Sequence, residues 1–521
     1  MGSDMASSLE WDRILPHPFL MLFAVATVTV LVAANPYEGV RTQNLIDPLI
    51  TALCVTLISW GISGLVFRQR LTCSIAAAVI SMPLLLSGYF FGWLRSADLP
   101  MAVRAGTELV LAVLMIGIAL VVTARVRWGD NAARFLNLFG TFAVVLTLPS
   151  VYRTAIEPRS EGVSQTVLPD TSGLYRPDIY LIILDAYTGH ESLALNYHFD
   201  NRPFLDSLAR RGFAIPERAL SNYVKTFLSV GSMLNRDYYY ELTPPAELGN
   251  DRTPYNNRME FNQTVIDLKR LGYEFFFVGS SYPPLAINRL ADEQYSSRPS
   301  RQFERLWYGT TVLWPALQLC VTLGKCRSND LPFNPESAAE TQERIRFLVK
   351  LTRRPERKFV YAHLLLPHGP YRFDSTCNPQ PSRWTIGSAA IKSDSLVRRL
   401  YIDQLQCTNR KIIEVIDEIL KTPSEAIIIL QADHGSGRFP GEVPTKLEDA
   451  DADQVRERFD IFAAYLAPGA VADSLAVQRT PVNVLRTLFR VLWAVNEEPL
   501  ADRHYWSDDN RPLLLREVEL H

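Results

Sequence analysis

The sequence lacks a charge bias: 53 lysines and arginines stand against 55 aspartates and glutamates, a formal net charge of −2. No basic or acidic tract offers itself to a polyanion or polycation, so no nucleic-acid partner is expected. A basic n-region is missing as well. The first ten residues are polar and contain no basic n-region, so no removed signal peptide is expected. Internal repeats and low-complexity tracts are absent. Cysteine is scarce, six in 521 residues. Cys54 and Cys73 lie in apolar runs and read as inert packing residues. The spacings of Cys320, Cys326, Cys377 and Cys407 fit no common zinc-finger pattern. If that part of the chain lies outside the cytoplasm, two local disulfides follow. A Cys377–Cys407 bridge would close a loop worth about 3–4 kcal/mol by the chain-entropy relation.

Long apolar runs are abundant, but only before residue 155. Five segments, approximately 18–34, 46–67, 71–93, 107–124 and 135–151, each approach the ~20 apolar residues that a bilayer core requires. Arg13, Arg68, Arg70, Arg125, Arg127 and Arg134 fall on one side of these crossings, and Arg41, Arg95 and Arg104 on the other. The richer side belongs in the cytoplasm. The N-terminus is therefore expected inside, and everything after Val151 outside. In a bacterium this describes a multi-pass inner-membrane protein with a periplasmic C-terminal part. Three regions follow: a five-helix transmembrane module over 1–155, a polar, proline-containing neck over 156–175, and a folded domain over 176–521.

From Arg176 onward, short β-rich apolar runs alternate with helical stretches. Strands are expected at 179–184, 274–278, 359–365, 426–430 and 462–466, with a helix over 202–211 that stops before Gly212. Continuous apolar strands of this kind are buried on both faces, and the alternation predicts an α/β fold with one doubly wound, mostly parallel sheet. In such a sheet the strand C-termini share an edge, and ligands bind there.

The chemistry-bearing residues collect at that edge. They lie in PDIYLIILDAY (177–187), SNYVKTFLSVGSMLN (221–235), HLLLPHGPYRF (363–373) and QADHGSG (431–437). Taken singly, Asp185 and Thr226 are ordinary capping residues, and Asp433-His434 an ordinary buried pair. Together Asp185, Thr226, Asp433 and His434 offer three oxygens and one nitrogen, a set suited to one divalent ion, Zn²⁺ or Mn²⁺. A bound metal lowers the pKa of coordinated water from ~15.7 to ~7. The same effect on the Thr226 hydroxyl yields an alkoxide nucleophile and, after attack on phosphorus, a phospho-threonine. Thr226 opens a short helix, whose N-terminus favours a phosphate oxyanion, and Lys225 adds a charge for substrate. His363 or His368 would bind phosphoryl oxygens or protonate the leaving group. Ser229 and Ser221 are the alternative nucleophiles.

In this order the four segments resemble the alkaline phosphatase superfamily, in its sulfatase-like branch, over roughly residues 177–506. With a membrane module in front, the architecture resembles lipoteichoic acid synthases, phosphoglycerol transferases and lipid A phosphoethanolamine transferases. The resemblance implies an alkaline-phosphatase-like domain with Thr226 as nucleophile. It also implies Asp185, Asp433 and His434 as metal ligands and His368 as a substrate-binding histidine. It further implies a membrane phospholipid as donor of phosphoglycerol or phosphoethanolamine, and a periplasmic glycan or lipid as acceptor. Two departures stand out. The sulfatase pattern C/S-x-P-x-R is replaced by Thr226-Phe227-Leu228-Ser229-Val230, which excludes ordinary formylglycine chemistry, and Asp185 stands where lipoteichoic acid synthases carry Glu. A second full set of zinc ligands is not evident. Hydrolysis with water as acceptor, and a non-catalytic scaffold that keeps the fold, are the alternatives to transfer.

Overall fold

The apolar runs at the N-terminus fold into helices: α1 (Pro18–Ala34), α2 (Thr42–Val66), α3 (Arg70–Phe91), α4 (Met101–Arg125) and α5 (Asp130–Val151). The computed structural model describes residues 15–35, 42–96, 99–152, 166–168, 173–239, 252–295, 301–326, 336–380, 394–437 and 444–520. Most of the expected neck, 156–175, lies outside these. Among the described residues, four helical stretches, Asn44–Val66, Arg70–Leu94, Met101–Arg125 and Asp130–Val151, are long and apolar enough to cross a membrane. α1 has 17 residues, with Leu20, Ala24, Val28 and Val32 buried. Gly140 of α5 permits close approach to α1, since a Cβ there would sit 2.9 Å from the Leu22 Cβ. Thr147 donates to Thr29 at 2.9 Å across the same contact. Val113, Leu114 and Ile118 of α4 and Phe135, Leu138 and Phe139 of α5 stay exposed, an apolar surface that calls for lipid.

The chain divides into two compact units. Among the described residues, 301–326 group with the N-terminal helices. The helices Arg301–Thr310 and Leu313–Thr322 bring apolar faces to the bundle. Trp307 is fully buried in a cluster with Ala24, Val28 and Leu85. A break in α3 receives them. Pro83 and the non-helical Leu86 interrupt its ladder, and the Val312 N–H donates to the Leu84 carbonyl at 2.9 Å. Gly88 lets the Gly309 backbone approach, because a Cβ would lie 2.2 Å from its carbonyl oxygen. Cys320–Cys326 is a disulfide within this segment.

The second unit is built on a six-stranded sheet of β1 (Asp178–Leu184), β2 (Glu274–Val278), β3 (Glu293–Gln294), β4 (Lys358–Leu364), β5 (Ala426–Ala432) and β6 (Ala463–Leu466). The order is β3-β2-β4-β1-β5-β6. All pairings are parallel except β5–β6. β1 is buried at every residue, as its unbroken apolar run requires, and so is β4. A small antiparallel pair, β7 (Tyr505–Ser507) and β8 (Leu515–Glu517), follows. The five expected strands are present, one at its expected bounds and the others with one or both ends moved by one or two residues. The short edge strand β3 and the reversed direction of β6 were not foreseen. Cys377–Cys407 is the second disulfide.

Candidate active site

Because β4, β1 and β5 are adjacent and parallel, their C-terminal ends form one edge. Asp185 is the first residue beyond β1, and Asp433 the first beyond β5. His363 lies inside β4, in register with Ile183. One carboxylate oxygen of each aspartate and a ring nitrogen of His363 lie within 4.8 Å of one another. Exposure is 3% for each aspartate and 0% for His363. His434 Nε2 is 3.8 Å from Asp185 Oδ1 and 3.5 Å from Asp433 Oδ2. Thr226 Oγ1 adjoins the group, 3.3 Å from His434 Nε2.

The local backbone is built to hold this arrangement. Ala186 takes φ 57°, a left-handed conformation that costs a non-glycine residue about 1–2 kcal/mol. Its N–H donates to Asp433 Oδ1 at 3.1 Å, and the His434 N–H donates to the same oxygen at 3.0 Å. Oδ2 is thereby turned toward the cluster. A Cβ on Gly435 would lie 1.8 Å from the Glu457 carbonyl oxygen, so only glycine lets the loop after β5 pass. The helix Thr226–Asn235 is tied to that loop by Ser229 Oγ, which donates to the Asp433 carbonyl at 2.5 Å.

Asp185 Oδ1, Asp433 Oδ2 and His363 Nε2 are buried and have no hydrogen-bond partner among the described residues. Each such group costs about 1–3 kcal/mol, a cost that a cation among them would remove. Their donor types fit a divalent metal. Burial, then the charge of Asp433, pushes Asp185 well above the usual carboxylate range, against Arg458 and Arg372. Burial acts upward on Asp433 too, but His434, His363 and the Ala186 N–H outweigh it and hold it low. Burial pulls His363 down to about 4 and His434 down to about 3, against Asp433. Both imidazoles are therefore neutral near pH 7, the form that binds metals.

The remaining expected residues are placed as follows. His368 is exposed at the edge, its backbone N–H on the Asp185 carbonyl at 3.1 Å. Lys225, expected to meet substrate, is engaged by Asp509. Burial and the neighbouring Arg458 lower its pKa. His363, expected at the substrate, is instead fully buried beside the two carboxylates. Of the alternative nucleophiles, Ser229 has its hydroxyl committed to Asp433, and Ser221 is fully buried.

Arg458 escaped the sequence reading. Its Nη1 donates to the Gly435 and Ser436 carbonyls at 3.1 and 3.3 Å, and its Nη2 to the Val224 carbonyl at 2.7 Å. One guanidinium thus clamps the loop before Thr226 to the loop after His434. No local motif surrounds it, and only tertiary contact reveals it. Ser280, whose Oγ lies 2.9 Å from His363 Nδ1, escaped for the same reason.

A family model described as Sulfatase matches residues 177–464, more than half of the chain, and spans every one of these residues except Asp509. No curated protein matches the chain. Among solved structures, lipooligosaccharide phosphoethanolamine transferase A of Neisseria meningitidis is similar at 11% identity and a TM-score of 0.41, over 91% of this chain and 94% of that one. The C-terminal periplasmic domain of EptC from Escherichia coli, in complex with Zn, is similar at 11% and 0.42, over 64% and 87%. The phosphonate monoester hydrolase of Agrobacterium radiobacter is similar at 12% and 0.39, over 64% and 80%. Likeness at this level carries no residue's role across.

Proposed function

The chain belongs to the sulfatase family, and from that premise we propose that it is a membrane-bound phosphotransferase. It moves a phospholipid-derived head group, phosphoglycerol or phosphoethanolamine, through a phospho-threonine on Thr226 to a periplasmic glycan or lipid. The observation that carries this reading is the Thr226 hydroxyl, 3.3 Å from His434 Nε2 beside a buried cluster of unpartnered metal-type donors. It stands where sulfatases carry the residue that becomes formylglycine.

Asp185, Asp433, His434 and Thr226 would hold a divalent cation, which when bound supplies charge to acidify the threonine hydroxyl and polarise the phosphoryl oxygens. Thr226 Oγ attacks phosphorus, and the bond from phosphorus to the diacylglycerol oxygen breaks. His368, at the exposed edge, protonates that oxygen as diacylglycerol leaves. The N-terminus of the helix Thr226–Asn235 directs N–H groups and its positive dipole end at the phosphoryl oxygens. An acceptor hydroxyl then attacks phosphorus and passes its proton to His368, restoring it, and Thr226 Oγ departs and takes back from water the proton it released there on attacking. Four apolar spans support a donor drawn from the bilayer, with the N-terminus cytoplasmic and the second unit periplasmic.

The family match favours one competing reading, hydrolysis with water as acceptor. Vesicles containing labelled phosphatidylglycerol or phosphatidylethanolamine separate the two. Diacylglycerol release that depends on added glycan supports transfer, and release without glycan supports hydrolysis. No release from either lipid by the metal-loaded protein refutes the proposal.

A further inference from the structure

His363 stands apart from the four residues that the sequence marks as metal ligands. It is carried on a central strand, not a loop, and is completely buried. Its ring has two possible tautomers. With the proton on Nε2, the ring would donate to a carboxylate. The Asp185 Oδ2 atom facing it is 3.8 Å away, beyond hydrogen-bond reach, and Nε2 has no partner among the described residues. With the proton on Nδ1, the ring donates to Ser280 Oγ at 2.9 Å. Nε2 then presents its lone pair to a group of two carboxylates, all within 4.8 Å. Ser280 lies just past the end of β2, the neighbour of β4, so the sheet itself sets the ring's orientation. A ring held by an outer acceptor on one nitrogen, with the other bare among anions, is the arrangement that metal-bound histidines adopt.

We infer that His363 is a further metal ligand, with Ser280 as its orienting partner. The cation then takes two imidazoles, from His363 and His434, and not one. This assignment rests on the metal reading proposed above and adds to it. A second imidazole turns the site toward zinc and away from magnesium or calcium, which prefer oxygen donors alone.

The test uses the untagged full-length protein in detergent, stripped with a chelator and reloaded with one equivalent of Zn²⁺. X-ray absorption at the zinc edge counts coordinated imidazoles, and chelator competition gives the affinity. The expected count is two in the wild type and in His368→Ala, and one in His363→Ala. Ser280→Ala should weaken zinc binding by about 10–100-fold, as loss of an orienting partner does, and His363→Ala should weaken it further. One imidazole in the wild type, or two that persist in His363→Ala, overturns the assignment and leaves the other ligands standing. A stripped protein that takes up no zinc overturns the metal reading as well. If His363→Ala does not fold, the counts in the wild type and His368→Ala decide the matter.

Discussion

Replacing Asp185 by asparagine should reverse its effect on stability according to whether metal is present. In the metal-free protein, Asp185 is buried against Asp433, and burial and that charge raise its pKa well above the usual range. The folded state then holds a proton that the unfolded chain has released. Stability from this group is present at low pH and is lost as pH rises through the folded value. Asp185→Asn keeps the shape and removes the charge. In excess chelator at pH 8 the variant should therefore melt above the wild type. The gap should close as pH falls toward the ordinary carboxylate range. The depressed histidines, His363 at about 4 and His434 at about 3, act in the opposite sense. Both proteins contain them, so the difference isolates Asp185. With metal the order inverts. Cation at a hundred times its Kd stabilises the wild type by about 2.7 kcal/mol. For a unit of this size, unfolding with about 2.1 cal/mol/K per residue, that raises Tm by about 4 °C. The variant, lacking one ligand charge, should gain far less. Differential scanning fluorimetry of both proteins, in chelator and in zinc, reads all four states. Equal destabilisation of the variant in both conditions would refute the reasoning.

Three other outcomes follow. Gly435→Ala puts a Cβ 1.8 Å from the Glu457 carbonyl and 2.9 Å from that of Asp460; neither backbone atom can yield cheaply. It should cost about 1–3 kcal/mol in denaturant melts and abolish the zinc-dependent rise in Tm. Arg458→Lys keeps a charge but cannot span the Val224, Gly435 and Ser436 carbonyls together. A displacement of about 1 Å between Thr226 and His434 should lower kcat about 100-fold, with zinc affinity little changed on titration. Joint replacement of Cys377 and Cys407 by serine opens a loop of sequence separation 30 and should cost about 3–4 kcal/mol in urea unfolding.

Much of the candidate site was legible because its residues are tied to strand ends. Asp185 and Asp433 each close an apolar run, and a parallel sheet brings such positions to one edge whatever their distance in sequence. Thr226 was legible from its place ahead of an apolar helical stretch. His363 was visible as a residue but not in its depth, which depends on β4 lying between β1 and β2. The pairing of Lys225 with Asp509 spans 284 positions and leaves no local trace. The place of residues 301–326 beside the N-terminal helices was hidden for a different reason. Helices of ten residues are too short to announce a membrane-side position, and only the broken α3 shows what they fill. The direction of β6 was out of reach, since a four-residue apolar run is the same read either way.

The claim on which the rest depends is that Thr226 carries the phosphoryl group in transit. Metal-loaded protein mixed with donor vesicles and no acceptor, quenched in acid, digested and mapped by mass spectrometry, tests it directly. The account predicts a peptide with the head-group phosphate on Thr226, missing from Thr226→Ala and discharged on adding acceptor. Turnover with Thr226 unmodified, or the adduct on Ser229 or Ser221, would contradict it.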